Sequence, residues 1–254
     1  MGRRSTEKAI GQLGQKAVES GAMDVVLRPD AAFQILAATV VPSFYGDAVR
    51  RGESMYAGKV GQEVAAPGVT VVDDATHPRG LNTYVSDEEG CPSRRNVLVD
   101  RGVLAGFLYD EFSAAEARVR PTGNAMRAER MESVSTYKTA PQTCARNIIL
   151  EGETVDAEEM IRGIRDGIVV DNVLGAHTAN RASGDFSVAI YAGHAIRDGQ
   201  IAHPLKGGMI AGNMPAMLRR ATLADDYRLV ETMMSPATGY IPSIKFEDVK
   251  VSGG

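Results

Sequence analysis

The sequence predicts an α+β fold: antiparallel and mixed β-sheets with hairpins, and four to five helices packed on them. Three observations predict it. Between Val60 and Leu108, the runs "VTVVDD", "LNTYVSD", "RNVLVD" and "VLAGFLYD" are rich in valine, leucine and tyrosine and are separated by Gly, Pro and Asp clusters, as short strands are. Asp100-Arg101-Gly102 and Asp198-Gly199 each stand between two apolar runs, where a tight hairpin turn needs residues that tolerate positive φ. The helical segments punctuate strand-rich blocks instead of alternating with single strands, so repeated βαβ units are not expected.

Along the chain, Ser5 to Ser20 has Ile10, Leu13 and Ala17 at helical spacing with Gly21 behind them, which reads as a connecting helix within a leading segment 1–23. Residues 24–254 then form one domain. Asp24 to Leu27 is a short strand, and Pro29-Asp30 a turn whose aspartate can cap a helix from Ala31 to about Val40, which Pro42 ends or kinks. After the strand block, a helix is expected at Glu111 to Arg118. The polar stretch Arg120 to Gln142 has little periodicity and reads as a mobile or ligand-facing loop. Asp156 with Glu159 makes a capping box, and Met160, Ile161 and Ile164 supply the buried face of a helix closed by Gly167. "SVAIYAGHAIR" and "QIAHPLKG" form a hairpin over 187–206, "GGMIAGNMPAMLRRA" a turn and helix, and "PSIKFEDVKVSGG" a terminal strand.

Composition removes several classes of function. A chain of 254 residues with 44% hydrophobic content can close a real core. A net charge of −4 with no polybasic patch argues against a general nucleic-acid binder, because neutralising phosphates takes a surplus of Lys and Arg on one face. The apolar run Phe33 to Tyr45 is interrupted by Gln34, Thr39 and Pro42 and is too short to cross a bilayer; together with a polar start this places the chain in the cytoplasm. Cys91 and Cys144 lie far apart without a C-x-x-C pair and read as buried thiols.

The chemistry-bearing residue types are spread along the chain. His77, His177, His194 and His203 are never one helical turn apart and none precedes Glu, so a self-contained helical zinc motif is absent. In "GAHTANRASGDFS", His177, Asp185 and Ser187 are the right types for a hydrolase, yet no G-x-S-x-G elbow holds the serine. Three readings of that stretch stay open: a triad, a turn in which Ser183-Gly184-Asp185-Phe186-Ser187 satisfies backbone N–H groups at a strand start, or a wall contacting a ligand through His177, Asn180, Ser183 and Asp185. "PTGNAMR" is either a turn or a binding loop offering Asn124 and Arg127. Lys206 to Asn213 has glycines at phosphate-loop spacing, but Asn213-Met214 stand where Lys and Ser or Thr would be needed.

The order of "DDATHPRG", "VSDEEGCPSRRNVLVDRGVLAGFLYD", "PTGNAMR", "GAHTANRASGDFSVAIYAGHAIRDGQIAHPLKGGMIAGNMPAML" and "IPSIKFEDVKVSGG" resembles the TldD/PmbA family, once called modulators of DNA gyrase and later grouped with peptidases. The resemblance runs from about Asp24 to the C-terminus and covers the family's C-terminal part, so a further N-terminal domain is expected to be missing. The zinc-bearing TldD-type subunit carries His-Glu-x-x-x-His after its first strand and a cysteine near the C-terminus. In this sequence those helix positions fall on Ala37, Ala38 and Pro42, and "VETMMSPATGYIPS" has no cysteine, with Met233, Met234 and Ser235 in its place.

What the resemblance implies is therefore a metal-free PmbA/TldE-type subunit with no cofactor and no catalytic residue of its own. It would act in peptide processing as a homodimer or beside a zinc-bearing TldD-type paralogue, enclosing an unfolded peptide as an extra strand at a sheet edge. The alternative, from another class, is a non-catalytic protein that binds strands or a macromolecular partner, a gyrase-modulator type of role. Neither reading involves nucleic acid directly or a membrane.

Overall fold

The computed structural model describes residues 13–127, 139–233 and 235–253. Among them are five α-helices and two β-sheets of substantial size, an α+β architecture. The larger, nine-stranded sheet runs in the order Lys16–Ala17, Gln200–Lys206, Asp185–Arg197, Asp166–Leu174, Gly21–Leu27, Ile244–Ser252, Thr222–Ala224, Thr154–Val155, with Met209–Asn213 paired to both Asp185–Arg197 and Ile244–Ser252. The six-stranded sheet runs Arg228–Thr232, Ser235–Ile241, Asn147–Gly152, Val69–Asp74, Arg95–Asp100, Val103–Leu104. Both are mixed: Gly21–Leu27 is parallel to Asp166–Leu174, and Ser235–Ile241 to Asn147–Gly152, while tight hairpins join Asp185–Arg197 to Gln200–Lys206 and Arg95–Asp100 to Val103–Leu104.

The Pro29–Thr39 helix contacts strands of both sheets, and all its residues but Asp30 and Gln34 are buried. Its four alanines let strands approach closely, and the strand side yields too. A Cβ on Gly239 would come within 2.6 Å of the Phe33 ring, so glycine is what lets this aromatic seat on the six-stranded sheet. Phe33, Ile35, Phe44, Leu98, Leu150, Ile168 and Phe246 belong to one continuous core.

Both predicted hairpin turns form. Arg101 and Gly102 have φ of 45° and 84°, and Asp198 and Gly199 of 48° and 75°, the paired positive values of a type I′ turn, whose twist matches that of the flanking strands. Asp156 caps its helix, accepting from the Glu158 and Glu159 amides, and Met160, Ile161 and Ile164 are buried as the periodicity requires.

Five local expectations need correction. The connecting helix over 5–20 lies partly outside the described residues; within them, Leu13-Gly14 form a turn and Lys16–Ala17 pair with Leu205–Lys206 as a strand. Asp30 is not a cap: the helix starts earlier, at Pro29 in its first turn, and the cap position falls on Arg28, which makes no side-chain cap bond. "LNTYVSD" is irregular, because the Asn82 side chain bonds the carbonyls of Arg146 and Pro236 and Val85 is 94% exposed. "VLAGFLYD" is a regular strand only at Val103–Leu104, with Leu108 in an isolated bridge to Tyr45. Gly167 does not close the 157–162 helix, which ends at Gly163; Gly167 sits in a strand where a Cβ would meet the Asp24 carbonyl at 2.5 Å. Residues 128–138 of the polar stretch 120–142 lie outside the described residues; on either side of them Ala125–Met126 pairs with Gln142–Thr143.

Candidate functional site

A cavity of about 340 Å³ opens where the C-terminal end of the Pro29–Thr39 helix meets the Gly46–Arg50 helix, the Gln142–Thr143 strand and the start of Ser235–Ile241. Ala37 and Pro42 form part of its wall, since the chain leaves the α-helix at Thr39 and turns through a 3-10 segment, Val41–Phe44, that brings Pro42 round. Tyr45 then pairs with Leu108, and the Gly46 amide donates to the Leu108 carbonyl at 2.7 Å. Glycine is required there because the Tyr109 ring occupies the space a Cβ would take. This pins the short helix that presents Asp47 and Arg51, one turn apart and joined at 2.7 Å.

Electrostatically the floor of the cavity is inert. Burial pushes the Cys144 thiol up to about 12, a shift the neighbouring Arg146 and Tyr45 only partly oppose, so the sulfur stays protonated and is a poor nucleophile. Burial, then the nearby Cys144, raises the Tyr45 phenol well above its ordinary value. The rim is charged. Arg51 pairs with both Asp47 and Glu53, and Arg181 reaches the cavity from the 175–187 loop.

The sequence-predicted residues fall into two separate groups. Asn124 is wholly buried: its amide donates to Asp73 Oδ2 at 2.6 Å and to the Cys144 carbonyl at 3.1 Å, while its oxygen accepts from Thr122 and Asn96. Asp73 in turn accepts from the Arg146 and Asn147 amides, at 2.6 and 3.0 Å. Arg127 bonds through its backbone amide to Glu88 and through Nη1 to the Thr139 carbonyl. Neither side chain lines the cavity, although Met126 between them does.

The second group lies in the 175–187 loop. Asn180 Oδ1 accepts from the Ala182 and Ser183 amides, and Ser183 donates to Asp185 at 2.7 Å. Asn213 joins them, donating to the Ser183 carbonyl and to Asp185 Oδ1, both at 2.8 Å, while its own oxygen caps the Met214–Leu218 helix. Those donors, Ser183 first, lower the Asp185 carboxyl from its ordinary range. The arrangement is a turn that satisfies its own backbone. Ser183 also borders a second cavity of about 260 Å³ beside Tyr56 and Arg219. His177 is exposed, on a 3-10 turn over 176–178, with no side-chain hydrogen bond among the described residues. The sequence reading missed Tyr45, Asp47, Arg51, Gln142 and Arg181; of these only Asp47 and Arg51 carried a signal, their i, i+4 spacing.

Taken together, fold and site define a two-sheet α+β protein with one small polar-rimmed cavity beside its central helix. The family model described as the PmbA/TldA metallopeptidase C-terminal domain matches residues 20–253, and the chain belongs to this TldD/PmbA family. It is 29% identical over 230 residues to a protein of Methanothermobacter thermautotrophicus named as a metalloprotease, covering 90% of this chain and 48% of that one. Its fold is similar to that of TldE from Thermococcus kodakarensis, with a TM-score of 0.88, 28% identity, and coverage of 99% of this chain and 55% of the other. A Thermotoga maritima protein named for modulation of a DNA gyrase superposes with a TM-score of 0.83 at 28% identity, covering 99% of this chain and 54% of that one. The chain thus spans about half the length of these relatives.

A metal of the kind the family name implies has no match in the residues at the helix positions identified by resemblance. Ala37, Ala38 and Pro42 carry no side-chain donor atom, and zinc needs nitrogen, sulfur or oxygen ligands. Among the described residues no group of three or more His, Cys, Asp or Glu side chains stands together to hold an ion.

Proposed function

We propose that this chain is the metal-free subunit of a TldD/PmbA-type peptidase, forming one side of a cleft for unfolded peptides beside a zinc-bearing paralogue or a second copy of itself. The observation that carries this reading is the identity of residues 37, 38 and 42. Methyl groups and a proline ring stand where the resemblance places two ligands and a general base, and two of the three border the cavity. The cysteine on the cavity, Cys144, is held as a thiol by burial.

The fold also offers what loosely specific peptide capture uses. Arg228–Thr232 is an end strand of the six-stranded sheet, hairpinned to the strand whose first residues, Ser235 and Pro236, border the cavity. An extended peptide added there would bind through backbone hydrogen bonds whatever its side chains.

The test is metal analysis of the purified chain, followed by co-expression with a zinc-bearing paralogue. The expected outcome is substoichiometric zinc in the chain alone, and a stable complex that cleaves unfolded peptides until a chelator is added. Stoichiometric zinc in the chain by itself, with peptidase activity that a chelator abolishes, overturns the reading.

A further inference from the structure

We propose that the second cavity, the one beside Tyr56, is a binding site for a phosphate-type oxyanion, held by the Tyr56 hydroxyl, the Lys59 ammonium and the Arg219 guanidinium. The site is independent of the subunit reading, since it needs neither zinc nor a partner. It is also separate from the cavity beside Ala37: Arg181 borders that one, and the next two residues, Ala182 and Ser183, border this one.

The buried member of the set is Tyr56. Its side chain is 2% exposed, its ring stacks on Phe44 at 5.2 Å, and its hydroxyl makes no hydrogen bond among the described residues. The fully buried polar atoms without a partner are on Asp47, His77 and Ser93, so the Tyr56 hydroxyl is not sealed in protein. The open space it meets is the cavity it shares with Arg219, whose charge acts on it. A buried hydroxyl whose one opening is a cavity calls for a partner in that cavity. Burial raises the phenol above its ordinary value, so the group enters as a donor and its partner is an acceptor.

The charges on the wall give that acceptor its sign. Lys59 and Arg219 line the cavity and no Asp or Glu does. Lys59 makes no ion pair among the described residues, and the Arg219 guanidinium gives one bond, from Nη2 to the Glu63 carbonyl at 3.1 Å. Ser183 and Asn213, also on the wall, already donate to Asp185 at 2.7 and 2.8 Å. Three donors, two of them cations, therefore remain for the ligand. A tetrahedral phosphate accepts from all three on separate oxygens, and guanidinium and ammonium groups are the side chains that recognise it. At about 260 Å³, below the roughly 300–1,000 Å³ of ordinary small-molecule pockets, the space suits a phosphoryl group with little attached to it.

The experiment is calorimetric titration of the full chain with inorganic phosphate and with glycerol 3-phosphate, at ionic strength held constant with chloride. Saturable binding of at least one of them in the millimolar range or tighter is expected. Tyr56→Phe keeps the ring on Phe44 and should weaken binding about tenfold, corresponding to about 1.4 kcal/mol. Lys59→Gln should also weaken it severalfold, and Arg219→Gln more, with thermal melts because Arg219 holds the Glu63 carbonyl. Arg181→Gln, on the other cavity, should bind as the wild type does. Tighter binding of glycerol 3-phosphate identifies an esterified phosphoryl group as the ligand, and equal or weaker binding identifies the free ion; either supports the site. No saturable binding of either compound, an unaltered affinity in folded Tyr56→Phe or in Lys59→Gln, or loss of binding in Arg181→Gln each overturns it.

Discussion

The Asn124 amide donates to the Asp73 carboxylate at 2.6 Å, and both side chains are fully buried. This one bond ties the Ala125–Met126 hairpin to the Val69–Asp74 strand, and through the same carboxylate to the amides of Arg146 and Asn147. A buried charge is tolerated when hydrogen bonds replace its lost water, and here three donors converge on it.

Asn124→Ala removes donors to Asp73 and Cys144 and strips partners from Thr122 and Asn96 at once. A loss of about 2–4 kcal/mol of folding stability is expected, read from denaturant midpoints at unchanged slope. A change under about 0.5 kcal/mol would show that the clamp does not matter to the fold.

Asp73 also gives a pH dependence of definite sign. Burial raises its carboxyl from 3.8 to about 6, although Asn124 and the Arg146 amide pull the other way. A raised folded value means that the folded state holds the proton more tightly than the unfolded chain. Stability from this group is therefore fully present below about 4 and is lost as the pH rises through 6, on the order of 3 kcal/mol. Asp73→Asn cannot titrate, so the advantage of the wild type over it should shrink between pH 4 and pH 6 and level off above about 7. A difference independent of pH over that window would refute the assignment.

In the 175–187 loop two substitutions separate architecture from chemistry. Asn213→Ala removes a helix cap and both bonds that hold Ser183 and Asp185, with a loss of about 1 kcal/mol or more. His177→Ala should stay within about 0.5 kcal/mol and leave the peptidase activity of a complex unchanged. Loss of activity in the folded His177→Ala protein would restore the loop as a catalytic site.

Gly239→Ala places a methyl group within 2.6 Å of the Phe33 ring, between the central helix and the six-stranded sheet. Overpacking of this kind costs about 1–3 kcal/mol. Thermal unfolding should show the loss; a variant as stable as the wild type would mean that the helix shifts freely on the sheet.

How much was legible beforehand depended on how far apart in sequence the deciding groups are. The hairpin at Asp198-Gly199 and the cap at Asp156 were readable because turn and cap act over two to four residues. "LNTYVSD" has strand composition, yet Asn82, reaching Arg146 and Pro236 across the fold, replaces ladder bonds with side-chain bonds. Gly167 reads equally as a helix stop or as a close strand contact, and only the position of the Asp24 carbonyl decides it. Asn124 has the composition of a binding loop and the location of a core residue, and no local pattern distinguishes a polar side chain facing solvent from one facing a buried carboxylate.

By itself, the sequence determined the α+β class, the strand-and-hairpin order, and the presence of Ala37, Ala38 and Pro42 at positions that resemblance links to metal chemistry. These are properties of residue type and short spacing. The tertiary structure alone decided that residues 37, 47, 144 and 181 share one cavity, that Asn124 belongs to the core, and that Asn180, Ser183 and Asp185 bind one another and Asn213. Those facts depend on which strands pair and how closely two sheets approach one helix, and the energies that fix them act between residues distant in the chain.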